Sequence, residues 1–321
     1  MSGGGVMKKL LLATTAITGI ASAAHAQSSP SAYTSAARYD LLGRVTGTIA
    51  PDPDGSGPSN PLKYAAVRNT YLNNNLVKVE TGELADWQSE AVAPASWPSS
   101  GTGAFTVLSS IEFSYDAMNR KTKEVAKGSD GNPVSVTQYG YDAVGRLECT
   151  AVRMDATEWS SLPTNAACAQ ATGGSGDEDR ITKNFYDDAG QLEKVQKAFA
   201  TSLVQDYVTY TYTDNGKQKT VKDANGNLAE FVYDGFDRLA AWRFPKKANG
   251  AVSADCNLGT IAEVSGISGP ADARGLSDDC EKYSYDRNGN RAKLVKRDGS
   301  VLTFEYDALN RMTKKVIPNR H

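Results

Sequence analysis

Histidine is nearly missing from this sequence. There are two in 321 residues, His25 near the start and His321 at the end. A body without histidine excludes Ser-His-Asp and Cys-His arrangements and the HExxH zinc motif. It leaves a paired-carboxylate enzyme open, because Asp and Glu total 37. A basic surplus is also absent: 35 Lys and Arg stand against those 37 acids. Phosphate neutralisation needs such a surplus, so nucleic acid is not an expected partner. Long hydrophobic runs are missing too. The nearest is "LLLATTAITGIASAA", too short and too interrupted to span a bilayer.

That run has a different reading. Met7-Lys8-Lys9 gives a short positive region before it, and "AHA" at 24–26 is a small-x-small cleavage site. Residues 1–26 therefore read as an export signal, cleaved between Ala26 and Gln27. "MSGGGV", before Met7, fits no part of such a leader, and Met7 is a candidate start. Cleavage removes Lys8 and Lys9, leaving 33 basic residues against 37 acidic ones, a charge of −4. The expected location is periplasmic, cell-surface or secreted, with no membrane span once the leader is gone.

Four cysteines fall into two local pairs, Cys149 with Cys168 and Cys256 with Cys280. In an exported protein disulfides are the default. Zinc is the alternative, but there is no CxxC and no internal histidine to support it. No cofactor or metal is expected. "DPDGSG" at 52–57 starts like a calcium loop, yet its twelfth position is Lys63, where a bidentate Glu is needed. Asp177, Glu178 and Asp179 follow a Gly-rich run and read as a solvated linker, not a carboxylate pair across a cleft.

What the sequence does have is one short phrase, eight times over. It reads "YDLLGR", "YDAMNR", "YDAVGR", "YDDAGQ", "YTDNGK", "YDGFDR", "YDRNGN" and "YDALNR", starting at Tyr39, Tyr115, Tyr141, Tyr186, Tyr212, Tyr233, Tyr285 and Tyr306. The fifth position is Gly43, Asn119, Gly145, Gly190, Gly216, Asp237, Gly289 and Asn310, always a residue that tolerates left-handed backbone. The second is Asp40, Asp116, Asp142, Asp187, Asp234, Asp286 and Asp307, with Thr213 once. Such side chains accept a bond from a backbone N–H two residues on. A type I turn followed by a left-handed residue joins antiparallel strands. Each phrase is therefore a hairpin turn, with the tyrosine ending a strand. In six units another aromatic precedes the tyrosine by two, which places both rings on one sheet face. A second turn follows each return strand, as in "SDGN" at 129–132, "DANGN" at 223–227 and "RDGS" at 297–300.

Tyrosine spacings of 21 and 26 residues give the unit length, and the two long gaps, 45 and 52, hold the two cysteine pairs. Each pair then ties one loop inserted between repeats. The expected insertions are about 83–103, 149–180 and 245–282, the first holding one short helix. "YLNNNLVKVETG" at 71–82 is a degenerate unit. The composition, 40% hydrophobic with 29 Gly, suits turn-rich β structure. The fold expected is all-β, a twisted, curved antiparallel sheet of successive hairpins over 27–321.

With these turns, and phrases such as "YDALNRMTK", "YDAVGRLEC" and "YDGFDRLAAW", the chain resembles the YD repeats of bacterial Rhs proteins, of insecticidal toxin-complex subunits and of teneurins. The resemblance covers roughly 33–317. It implies a ribbon of hairpins spiralling into a hollow shell, a non-enzymatic scaffold for encapsulation or surface display, used in toxin delivery or intercellular competition. The partners it implies are the rest of a longer Rhs polypeptide or its toxin cargo. The chain stops inside a repeat, at "IPNRH", and is expected to be incomplete there. The alternative is a carbohydrate- or cell-surface-binding module using exposed repeat tyrosines. The arginine after most turns is expected to pair with a turn Asp or to lie over a tyrosine ring.

Overall fold

The structure is a computed structural model that describes residues 33–52, 54, 62–162, 166–171, 178–245 and 280–318. Its elements are β-strands, with one 3-10 turn. The fold is all-β, and the strands pair antiparallel with their sequence neighbours. Contacts divide the chain into two compact units, Met1–Thr70 with Thr81–Leu108, and Tyr71–Glu80 with Ser109–His321.

In the first unit, β1 (Ala36–Tyr39) pairs with β2 (Val45–Ile49), and β2 with β3 (Tyr64–Leu72). β4 (Asn75–Leu84) and the start of β5 (Phe105–Tyr115) contribute Leu84 and Phe105. A small core forms from Ile49, Ala66, Leu84, Trp97 and Phe105. Trp97 comes from the segment linking β4 to β5, and its ring lies 5.3 Å from that of Phe105. The short helix expected in 83–103 is a single 3-10 turn, Pro94–Ser96. Prolines 94 and 98 bracket it, and a proline just beyond a turn cannot continue a helix. β4 also runs to Leu84, so the break in the repeat begins at 85.

In the second unit the strands follow in order. They are β6 (Lys121–Lys127), β7 (Pro133–Tyr141), β8 (Leu147–Arg153), β9 (Arg180–Tyr186), β10 (Leu192–Lys197), β11 (Gln205–Tyr212) and β12 (Gln218–Asp223). Then come β13 (Leu228–Tyr233), β14 (Leu239–Arg243), β15 (Cys280–Tyr285), β16 (Arg291–Val295), β17 (Val301–Tyr306) and β18 (Met312–Val316). From β5 onward each bonds to the next. Every five-residue turn adds one residue to the return strand, so the ladder shifts register beside the motif tyrosine, as between Gly140 and Tyr141 or Ser284 and Tyr285. The degenerate unit departs from this: β3 and β4 are joined through Asn73 and Asn74 alone, with Asn73 at φ +53°.

Alternation sorts the side chains. Gln138, Gly140, Cys149, Ala151 and Ile181 share one face by register, and Tyr139 takes the other. The segment after β8 packs on the first of these faces. Cys149 is bonded to Cys168, Cα–Cα 5.3 Å. Cys149, Ala151, Ala167 and Ile181 form a buried cluster. Gly140 admits this loop, since a Cβ there would sit 3.2 Å from Ala167 Cβ. Closing a loop of this length stabilises by about 3 kcal/mol through the unfolded chain. Cys280 is also disulfide-bonded and buried. Its expected partner Cys256 lies outside the described residues, as do Ala26, Gln27 and most of the 245–282 insertion.

Asp179 is not solvated, contrary to the expectation for its acidic run. It is 3% exposed and bonds Arg153 Nη1 at 2.6 Å through Oδ2. It also accepts the amides of Met154 and Ala171. Arg153 in turn donates to Gln138 Oε1 and to the carbonyls of Ala166 and Ala169. Burial becomes affordable because every polar atom of the pair finds a partner across the loop. Asp179→Ala should strand the buried guanidinium and cost about 3–5 kcal/mol in urea denaturation. Glu178→Ala, its exposed neighbour, should stay within about 0.5 kcal/mol. Equal losses would contradict the buried pair.

Candidate functional site, an arginine–tyrosine ladder

The eight turns share one construction. In each, the second residue's N–H donates to the carbonyl of the sixth, and the fifth residue's N–H to the carbonyl of the second, at 2.8–3.1 Å. The fifth residue has φ between +59° (Asp237) and +91° (Gly145) in all eight. The aspartate closes the turn from inside. Asp116 Oδ1 accepts the amides of Met118 and Arg120, and Oδ2 accepts Arg120 Nε at 2.7 Å. The same Asp–Arg pair recurs at 40/44, 142/146, 234/238 and 307/311. Thr213 replaces Asp once, and its Oγ1 accepts the Lys217 amide. The second set of turns uses the same closure, with Asp223 accepting from Asn225 and Asn227.

The arginine does not stop at its own turn. Arg120 lies 4.5 Å over the ring of Tyr141, Arg146 4.4 Å over Tyr186, and Arg238 4.5 Å over Tyr285. Each of those tyrosines belongs to the following repeat. Its hydroxyl then donates back to the residue just after the arginine slot: Tyr141 to Lys121, Tyr186 to Leu147, Tyr212 to Leu192, Tyr233 to Gln218, Tyr285 to Leu239 and Tyr306 to Arg291, at 2.7–3.1 Å. Tyr115 does the same to Leu76. Arg120, Arg146 and Arg238 thus fill both expected roles at once, within their own turns and across to the next. Tyr39, in the first unit, stands 62% exposed.

This crossing explains the choice at the fifth position. The guanidinium reaches over the next turn, where a Cβ on Gly145 would lie 3.2 Å from Arg120 Nη1 and one on Gly190 3.3 Å from Arg146 Nη1. Gln191 similarly approaches Gly216 at 3.0 Å. Arg238 precedes Gly289 at 4.0 Å. Where the preceding slot is instead Lys217 or Asn290, the fifth residue is Asp237 or Asn310. There an asparagine of the preceding turn bonds it, Asn215 to Asp237 and Asn288 to Asn310. Asn75 bonds Asn119 in the same way. At 145, 190 and 216 glycine is therefore favoured by a neighbour as well as by φ, whereas a Cβ at Gly43 would meet nothing within 4 Å.

The carboxyls of Asp40, Asp116, Asp142, Asp234, Asp286 and Asp307, and of Asp223 in the second set of turns, sit below the usual aspartate range. For Asp40, Asp116 and Asp307 the leading cause is the amide of the arginine four residues on, with its side chain adding to it. For Asp223 and Asp286 it is the side chain of the asparagine at that place. A folded value below the unfolded one, about 3.9, gives stability that is present above that pH and lost as pH falls through the folded values. The melting temperature should therefore drop between about pH 4 and pH 2. A flat profile there would contradict the turn assignment.

Among the described residues no cluster of His, Cys, Asp and Glu is arranged to hold a metal ion. Asp52 and Asp54 are described, but the rest of the calcium-like phrase at 53 and 55–57 lies outside the described residues. Sequence reasoning did not find Arg153, Gln138 or Trp159. The available sign was an arginine in phase with Cys149 and Ala151 on the loop-covered face.

Two substitutions test the neighbour rule. Gly145→Asn should cost on the order of 1 kcal/mol alone, and markedly less beside Arg120→Asn, which clears the space and supplies a partner. Additive losses in denaturant melts would contradict it. Gly145→Val should be worse than Ala143→Val, because a β-branched residue is strained at positive φ.

Residues 285–320 match the family model described as RHS Repeat. No curated protein matches the chain. Among solved structures it is similar to a TcdB2-TccC3-TEV crystal structure, with TM-score 0.39 and 14% identity over 87% of this chain and 12% of that one. A Tc holotoxin pore structure from Photorhabdus luminescens gives 0.32 and 14%, over 88% and 15%. A porin-like protein from Bacteroides uniformis gives 0.25 and 9%, over 87% and 88%. The chain thus spans about an eighth to a sixth of the toxin-complex chains it matches. The last repeat thus matches the RHS Repeat model, and the same turn is built seven more times along the chain.

Proposed function

We propose that the chain is a non-enzymatic scaffold section of an exported Rhs-type protein, its hairpins forming part of a β-shell for encapsulation or surface display. The observation that carries this reading is how the repeated residues are used. Asp, Arg and Tyr are the chemically rich members of the motif, and each binds within its own turn or to the adjoining hairpin. The motif joins hairpin to hairpin. Its partners are then the remainder of a longer Rhs polypeptide or a toxin cargo, and its use is toxin delivery or intercellular competition. No helix among the described residues is long and apolar enough to cross a membrane.

The ladder also weighs against sugar binding by the repeat tyrosines. In the second unit one face of Tyr141, Tyr186 and Tyr285 is occupied by a guanidinium, and their hydroxyls are bonded.

Two measurements test the proposal. Mass spectrometry of the exported protein should find Gln27 as the first residue, and a cytoplasmic chain keeping residues 7–26 would contradict export. Electron microscopy of the full gene product should show a curved β-wall, and an open, flat ribbon would contradict a shell.

A further inference from the structure

The loop after β8 does more than cover a face. Together with β5, β6 and β7 it encloses a groove of about 430 Å³, within the usual range for small-ligand sites, about 300–1,000 Å³. Val125 and Val136 line it from the sheet, Trp159 from the loop, and Glu112, Lys123 and Lys127 are its charged groups. We infer that this groove binds an acidic saccharide, a uronic-acid type of sugar, with its ring on Trp159 and its carboxylate toward Lys123.

Rigidity is the first support. The Trp159 indole N–H donates to the Arg153 carbonyl at 3.1 Å, which fixes the ring. Arg153 is itself 2% exposed and held by Asp179, Gln138 and two carbonyls. A disulfide anchors the same loop at Cys168. A buried ion pair and a crosslink, each joining β8 to the inserted segment that follows it, hold one aromatic ring in a preorganised position.

Chemistry is the second. An indole face beside valines suits the C–H face of a pyranose, and a rim of carboxylate and ammonium groups suits its hydroxyls. Lys127 is paired with Glu112 at 2.7 Å, and Lys78 approaches the same Glu112 at 3.8 Å. Lys123 has no ion-pair partner among the described residues. The positive charge left over at the rim selects an anionic ligand over a neutral one. The site lies apart from the tyrosine ladder and goes beyond the scaffold reading, which stands or falls on the shell itself.

The test titrates the exported chain with a glucuronic acid disaccharide, the matching glucose disaccharide and acetylphenylalaninate, following tryptophan fluorescence and calorimetry. The uronate should bind with a millimolar or tighter constant, and the glucose form at least several-fold more weakly. Lys123→Gln and Trp159→Phe should each weaken uronate binding by about tenfold, a loss of 1.4 kcal/mol. Tyr141→Phe, which keeps the ladder ring, should leave it unchanged. Circular dichroism and melting of each variant confirm that the fold is kept. No saturable uronate binding, binding indifferent to Lys123→Gln and Trp159→Phe, or tighter binding of acetylphenylalaninate would each overturn the assignment.

Discussion

The contact on which the second unit depends is a guanidinium shared between two hairpins. Arg120, Arg146 and Arg238 each close their own turn through an aspartate and then cover the tyrosine of the next repeat. The tyrosine hydroxyl returns the connection to the backbone just past the arginine slot. A cation over an aromatic ring contributes about 0.5–1 kcal/mol at a partly exposed site, and a hydroxyl bond about 1 kcal/mol. Neither is large. The hydroxyl bond recurs from junction to junction and the guanidinium joins it at three of them; together they set the orientation of one hairpin on its neighbour, as nearest-neighbour terms do in other repeat proteins.

Such joints matter because hairpin ribbons have little interior. Two buried apolar clusters of the described residues lie where loops fold over strands, under Trp97 in the first unit and around Cys149 and Ile181 in the second, and a smaller one joins Ala241 to Cys280. The strands β10 to β13 are half-buried at most. The insertions therefore supply local second layers, and the ladder supplies continuity between them. The proposed saccharide groove sits where one of those second layers meets the strands.

The turns were legible in the sequence because backbone conformation limits the fifth residue to Gly, Asn or Asp, and eight repetitions made that limit visible. The inter-repeat contact was half legible. Arg and Tyr announced themselves, but that Arg120 would serve Asp116 and Tyr141 together depends on sheet register. The alternation between glycine and asparagine at the fifth position also looked like free choice until Arg120 was seen over Gly145. Asp179 was the least readable. Its neighbours suggest a solvated run, and its partner Arg153 is 26 residues away. Local composition carries no trace of such a pairing. The expected helix before β5 shrank to one turn because proline spacing, not residue propensity, controls that segment.

The central claim is that the arginine couples adjacent repeats. A double-mutant cycle on Arg238 and Tyr285, residues of one ladder junction at 4.5 Å, tests it most directly. Arg238→Ala, Tyr285→Leu and the pair would be compared by urea denaturation. The account predicts a coupling of about 0.5–1 kcal/mol, with hydrogen exchange accelerated in β15 and β16 by Arg238→Ala as well as in β13 and β14. Additive losses, with exchange changed only in 228–243, would show that each arginine serves its own turn alone.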